Sequence, residues 1–93
     1  MKKPTLFVVD DEEAVRKSLG SVLSTYDFVV QAFDSAEAAL SSIGKLKPAC
    51  IIADIRMPGM DGLTFQRILS ESSNSPPVIL ITGHGDVSMA VRA

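Results

Sequence analysis

Leu6-Phe7-Val8-Val9-Asp10-Asp11-Glu12-Glu13 sets a continuous apolar run directly against a block of acids, and this junction decides the architecture. Four consecutive apolar residues, rich in β-branching, read as a strand buried on both faces, the kind found inside a parallel sheet. The acids end it. Asp10 or Asp11 is placed to cap a helix, and Glu12 and Glu13 suit a first turn near the positive end of the helix dipole. Val15, Leu19, Val22 and Leu23 then recur at i, i+4, i+7 and i+8 as one apolar stripe, which predicts a helix ending near Thr25.

The same strand-then-helix unit repeats outward from there. Phe28 to Ala32 makes a second strand, and the polar Gln31 inside it suggests a place near a sheet edge. Ser35 is an N-cap candidate for a helix carrying Ala36, Ala39, Leu40 and Ile43, with Gly44 positioned to end it in the left-handed conformation. After Pro48, the run Ala49 to Ala53 forms a third strand that stops at Asp54. Arg56-Met57-Pro58-Gly59-Met60 is a loop by its Pro-Gly turn signal, and Asp61 can cap a helix carrying Leu63, Ile68 and Leu69. Ser70 to Pro77 is polar and turn-rich, and Val78 to Ile81 is a fourth strand ending at Thr82. Gly83-His84-Gly85 permits a tight backbone, after which Asp86 is placed to cap a further helix that reaches Ala93. Four such units with no hairpin signal predict an α/β fold, a doubly wound parallel sheet with right-handed crossovers and helices on both faces.

Composition bounds the function. At 93 residues, 46% hydrophobic and 22% charged, the chain reads as one small globular domain over residues 1–93. A chain of this size buries only roughly 60 to 65% of the surface its unfolded form exposes, so its margin of stability is thin. Nine Lys and Arg, scattered along the sequence, stand against eleven Asp and Glu, which argues against direct nucleic-acid binding by this segment. Too few apolar residues follow Met1-Lys2-Lys3-Pro4-Thr5 for a signal-peptide core or a membrane span, so a cytoplasmic domain is expected. The single Cys50 can form neither an internal disulfide nor a zinc site, and reads as a structural thiol suited to a reducing compartment.

Polar residues gather where the strands end: Asp10 and Asp11, Asp54, and Thr82. In open α/β sheets that edge binds ligands, so the acids should converge. Carboxylates about 4 Å apart repel by about 4 kcal/mol per pair at an effective dielectric near 20, and either protons or a hard divalent cation must neutralise them. An all-oxygen cluster with room for waters suits Mg²⁺, with Mn²⁺ able to substitute, better than zinc. Asp54 stands alone at its strand end and could attack phosphorus through its carboxylate. Thr82 offers a hydroxyl to a phosphoryl oxygen, and Gly83 leaves backbone access beside it.

Val8-Val9-Asp10-Asp11-Glu12, Asp54-Ile-Arg-Met-Pro-Gly-Met-Asp-Gly62 and Ile81-Thr82-Gly83 together resemble the response-regulator receiver domain, over essentially the whole chain. Thr82-Gly-His-Gly-Asp-Val87 resembles more narrowly the FixJ-type transcription regulators, whose receivers are usually followed by a helix-turn-helix effector domain. The resemblance implies a flavodoxin-like, CheY-like fold and a phosphoacceptor switch in two-component signal transduction rather than a turnover enzyme. By it, Asp54 accepts phosphoryl from a sensor histidine kinase or from a small donor such as acetyl phosphate. Asp11, Asp54 and the main-chain carbonyl of Arg56 ligate Mg²⁺, and Asp10 holds a metal-bound water. Thr82 swings inward to bond the phosphoryl group, and the main chain at Arg56 and Gly83 gives further donors.

The sequence departs from that pattern in its last part. The family's fifth strand, its fifth helix and the lysine that pairs with the phosphoryl group have no counterpart, and no lysine lies beyond Lys47. The domain is therefore expected to lack its C-terminal portion and any effector domain, to leave its fourth strand at an edge and one sheet face uncovered, and to associate as a homo-oligomer. Two other functions stand beside the phosphoacceptor reading. One is an aspartyl-nucleophile phosphatase, disfavoured because Arg56 occupies the place of the usual second acid two residues after the nucleophile. The other is a non-phosphorylated module that binds a kinase or a full-length regulator. Blander roles fit the remaining residues: a surface loop position for His84, a solvated side chain for Arg56, packing for Met57, Met60 and Met89, and the core or its margin for Phe7, Phe28, Phe33 and Phe65.

Overall fold

Four parallel strands form the frame. They are β1 (Thr5–Val9), β2 (Val29–Phe33), β3 (Cys50–Asp54) and β4 (Val78–Ile81), joined by the helices α1 (Glu13–Ser24), α2 (Ala36–Leu46) and α3 (Gly62–Ser70), and followed by a strand β5 (Met89–Arg92). The computed structural model describes residues 3–72 and 75–81, and the backbone of 89–92. The sheet order is β2-β1-β3-β4-β5. Gln31 thus does mark an edge strand: β2 pairs with β1 alone, in the register Thr5↔Val29 to Val9↔Phe33.

After β2 the chain reverses its direction of travel across the sheet. Right-handed crossovers then put α1 on one face and α2 and α3 on the other. The burial follows this division. Phe7 and Val9 of β1, Ile51 and Ala53 of β3, and Val78 and Leu80 of β4 make one buried cluster with Ala36 and Ala39 of α2 and Phe65 and Leu69 of α3. The helices meet the sheet through side chains of different size, alanines on α2 and Phe65 and Leu69 on α3. Phe7 and Phe33 meet with ring centroids 4.6 Å apart in a tilted pair, and Met57 is also buried. On the opposite face Leu6 and Val8 are buried, but Ile52, Ile79 and Ile81 are only half-covered. Helix α1 lies over β1 and β2 there, has no buried residue, and leaves Val22 55% exposed.

Three sequence expectations are corrected by the structure. Residues 89–92 are a strand, not the end of a helix, and β5 runs antiparallel to β4 in the register Val78↔Arg92 to Ile81↔Met89; Asp86, expected to cap that helix, lies outside the described residues. So β4 is not the sheet edge. The physical reason is that a helix of about seven residues is marginal by itself, whereas pairing along β4 satisfies a row of edge donors and acceptors. Gly44 does not end α2 either. The helix runs on to Leu46 and stops at Lys47, because the residue before a proline, here Pro48, is disfavoured in the helical region; Lys47 is in the left-handed conformation (φ 48°). Neither Asp10 nor Asp11 caps α1: its N-cap is Glu12, with no side-chain cap bond. Ser35 and Asp61 do cap α2 and α3, accepting from the N–H of Ala38 and of Thr64.

Cys50 is half-buried and unpaired. Burial pushes its thiol above the ordinary value, which disfavours the reactive thiolate. Among the described residues no helix is long and apolar enough to cross a membrane.

Candidate functional site

The reversal of strand order places a topological switch point between β1 and β3, which lie side by side in the register Leu6↔Cys50 to Val9↔Ala53. A crevice forms there at the carboxyl ends of the strands. Asp54 is the last residue of β3, and Asp10 directly follows β1 with its N–H donating to the carbonyl of Phe33 at 3.1 Å. Both side chains are buried, with Asp10 1% and Asp54 2% exposed, while Asp11 is open to solvent. One carboxylate oxygen from each of Asp10, Asp11 and Asp54 lies within 4.8 Å of the others. The convergence expected from the sequence is therefore present.

The surrounding backbone fixes these groups. Glu12 donates its N–H to Oδ1 of Asp10 at 2.9 Å, and Arg56 donates its N–H to Oδ1 of Asp54 at 3.3 Å. Burial pushes the Asp10 carboxyl above the usual carboxylate value. The bond from Glu12 pulls it back, and the charges of Asp54, Asp11 and Glu12 push it up further. An all-oxygen set of three acids, two of them buried, fits a hard divalent cation of the Mg²⁺ class.

The side chain of Arg56 is exposed. Ile81 is the register partner of Asp54, and its carbonyl accepts from the N–H of Ile55 at 2.8 Å. Thr82, Gly83 and His84 lie outside the described residues. A cleft of about 440 Å³, lined by Ile55, Arg56, Met57, Pro58 and Asp61, opens along the loop after β3. None of the three clustered acids lines it.

Two residues that sequence reasoning missed shape the site. Gly62 opens α3 against the backbone of Asp54 and donates its N–H to the carbonyl of Ile55 at 2.9 Å. The signal was available: a glycine directly after an N-cap, where most residues would serve, implies a close approach. Arg16 donates from Nη1 to the main-chain carbonyl of Asp10 at 2.7 Å. No periodicity marks that contact, since it joins a helical turn to a strand end.

Asp61 gives a pH signature. Hydrogen bonds from the backbone N–H and the hydroxyl of Thr64 hold its carboxyl below the ordinary 3.8. A depressed folded value means that its contribution to stability is present above the unfolded pKa and is lost as pH falls through the folded one. Urea midpoints measured from neutral pH into this acid range should fall less for Asp61→Asn than for the unsubstituted chain, because the amide caps without titrating. Parallel acid limbs for the two proteins would refute the assignment.

The response regulator receiver domain model matches residues 6–93. The chain is 42% identical over 92 residues to the response regulator protein TmoT of Ectopseudomonas mendocina, covering 99% of this chain and 42% of that protein. It is 45% identical over 89 residues to the transcriptional regulatory protein FixJ of Rhizobium meliloti, covering 96% of this chain and 44% of that one. The chain thus spans about two fifths of the length of these relatives. A crystal structure of FixJ-N superimposes with a TM-score of 0.80 at 42% identity, over 94% of this chain and 70% of that one.

Proposed function

The chain belongs to the response regulator receiver domain family, and from that membership we propose that Asp54 is its phosphoryl acceptor in two-component signalling. One observation carries the reading: the oxygens of Asp10, Asp11 and Asp54 meet within 4.8 Å at the switch point, with Asp54 on the rigid end of β3. A carboxylate oxygen of Asp54 attacks phosphorus, the bond from phosphorus to the donor's leaving group breaks, and an aspartyl phosphate forms. With acetyl phosphate the leaving group is acetate. With a sensor histidine kinase it is the imidazole of the phosphohistidine.

The other residues act around that step. Asp11, Asp54 and the Arg56 carbonyl are assigned to Mg²⁺, and Asp10 to a water bound to it. When bound, the cation would neutralise the clustered acids and offset charge on the transferring group. The Arg56 N–H, which already reaches Asp54, and the Gly83 N–H would donate to the phosphoryl oxygens, and the Thr82 hydroxyl would do the same while reporting the modified state. The chain is on this reading a cytoplasmic switch rather than a turnover enzyme. Relatives named as regulators of transcription are more than twice its length, and DNA-binding output is assigned to their additional region. The half-covered face carrying Ile52, Ile79 and Ile81 supports self-association.

The test is the intact mass of the chain after incubation with acetyl phosphate and Mg²⁺. The expected result is a gain of one phosphoryl group that is absent in chelator. A folded chain that gains no mass would refute the phosphoacceptor reading and favour a module that binds its partners unphosphorylated.

A further inference from the structure

Arg16 makes a contact that neither α1 packing nor surface solvation explains. It lies in the first turn of α1 and is half-buried, yet it contributes nothing to the apolar core. Its Nη1 donates instead to the main-chain carbonyl of Asp10 at 2.7 Å. With that bond three polar atoms of Asp10 are engaged: the N–H by Phe33 of β2, Oδ1 by the N–H of Glu12, and the carbonyl by α1. The first two bonds hold Asp10 to the sheet and to its own turn. The third comes from within the helix that follows and ties the turn bearing Asp10 and Asp11 to its first turn.

That tie matters because α1 has little else to seat it at this end. The helix has no buried residue, and its N-cap Glu12 makes no side-chain cap bond. Asp11 is exposed, so the direction of its carboxylate is set by the backbone between Asp10 and Glu12. A guanidinium, planar and fixed in its donor geometry, suits such a main-chain clamp.

We propose that Arg16 is a positioning residue for the cation site, holding the β1–α1 turn so that Asp10 and Asp11 face Asp54. The proposal rests on the metal-site reading given above. It makes a prediction whose sign separates it from electrostatics. Arg16 is a cation near a cluster of acids. If its charge were what mattered, a neutral replacement would tighten divalent-cation binding. If its hydrogen bond holds the ligands in place, the same replacement loosens it, on the order of tenfold, as is usual when a group supporting a metal ligand is lost.

The experiment is titration of the chain and of Arg16→Met and Arg16→Lys with Mn²⁺, read by water-proton relaxation, and with Mg²⁺, read by calorimetry. Circular dichroism of each sample before metal is added gives the folded fraction. Asp11→Asn serves as the site control. The expected order of affinity is Arg, then Lys, then Met, with the Met variant about tenfold weaker, and with the gap persisting at high salt where Coulombic effects are screened. Met binding as tightly as Arg or more tightly, in a folded sample, overturns the proposal. Should Met not fold, Lys decides, since Lys binding as tightly as Arg overturns it equally. An unsubstituted chain with no saturable binding, or one indifferent to Asp11→Asn, refutes the metal-site reading itself and this inference with it.

Discussion

Gly62→Ala should cost more than about 3 kcal/mol of stability, at the upper end of what overpacking usually costs. A Cβ at residue 62 would overlap the carbonyl oxygen of Asp54 and come within 2.9 Å of the Ile55 Cα and 3.0 Å of the Asp54 carbonyl carbon. All three are backbone atoms, so no side chain can swing away. Two segments would have to part: the first turn of α3, pinned by the bond from Gly62 N–H to the Ile55 carbonyl, and the end of β3, pinned by the bond from Ile55 N–H to Ile81. For a domain with a total stability of order 5 to 15 kcal/mol, this is a large share. Gly44→Ala provides the matched control, because nothing lies within 4 Å of the Cβ it adds and residue 44 is inside α2. Removing glycine's excess backbone freedom there should raise stability by about 0.5 to 1 kcal/mol. Urea midpoints of the two variants should move in opposite directions from that of the unsubstituted chain. A Gly62→Ala midpoint within error of the parent would show that β3 and α3 are not packed as described.

What the sequence made legible was whatever depends on local pattern. The start of β4 at Val78 is legible because an apolar run opens directly after Pro76-Pro77. Ser35 and Asp61 were found as caps because a short polar side chain before an apolar period has one common use. The convergence of Asp10, Asp11 and Asp54 followed from topology, since parallel strands bring their carboxyl ends to one edge. The failures share a different cause: they turn on a competitor that local pattern does not contain. Gly44 has the pattern of a helix stop, but Pro48, four residues on, sets the stop at Lys47. Met89–Arg92 carries a helical pattern, yet the edge of β4 offers backbone partners that so short a helix cannot match. Asp10 has the residue type and place of a cap for α1, but its side chain bonds the N–H of Glu12, before the helix begins. Arg16 was one basic residue among nine until the fold brought it to the Asp10 carbonyl.

Asp54→Asn should make the metal-free domain more stable while removing most of the stabilisation that Mg²⁺ confers. Two unit charges at 4.8 Å, the spacing within which the three acids lie, repel by about 3.5 kcal/mol at an effective dielectric of 20. Asp54 takes part in that repulsion from a position only 2% exposed, where water screens it poorly. Asp10 sheds part of the load, since burial and the neighbouring charges push its carboxyl above the usual value. The gain in chelator should therefore be about 1 to 2 kcal/mol, a fraction of the Coulomb figure. The Asn side chain keeps the acceptor oxygen used by the Arg56 N–H, so no buried donor is orphaned. Added Mg²⁺ should reverse the ranking. A ligand that binds only the folded state at a hundred times its dissociation constant stabilises it by about 2.7 kcal/mol. The unsubstituted chain should gain that much, and the variant, with one anionic ligand fewer, far less. Urea melts of both proteins with chelator and across a Mg²⁺ series should show the two stability curves crossing. Curves that stay parallel would mean that Asp54 neither bears the repulsion nor binds the ion, and its burial would have to be explained by packing alone.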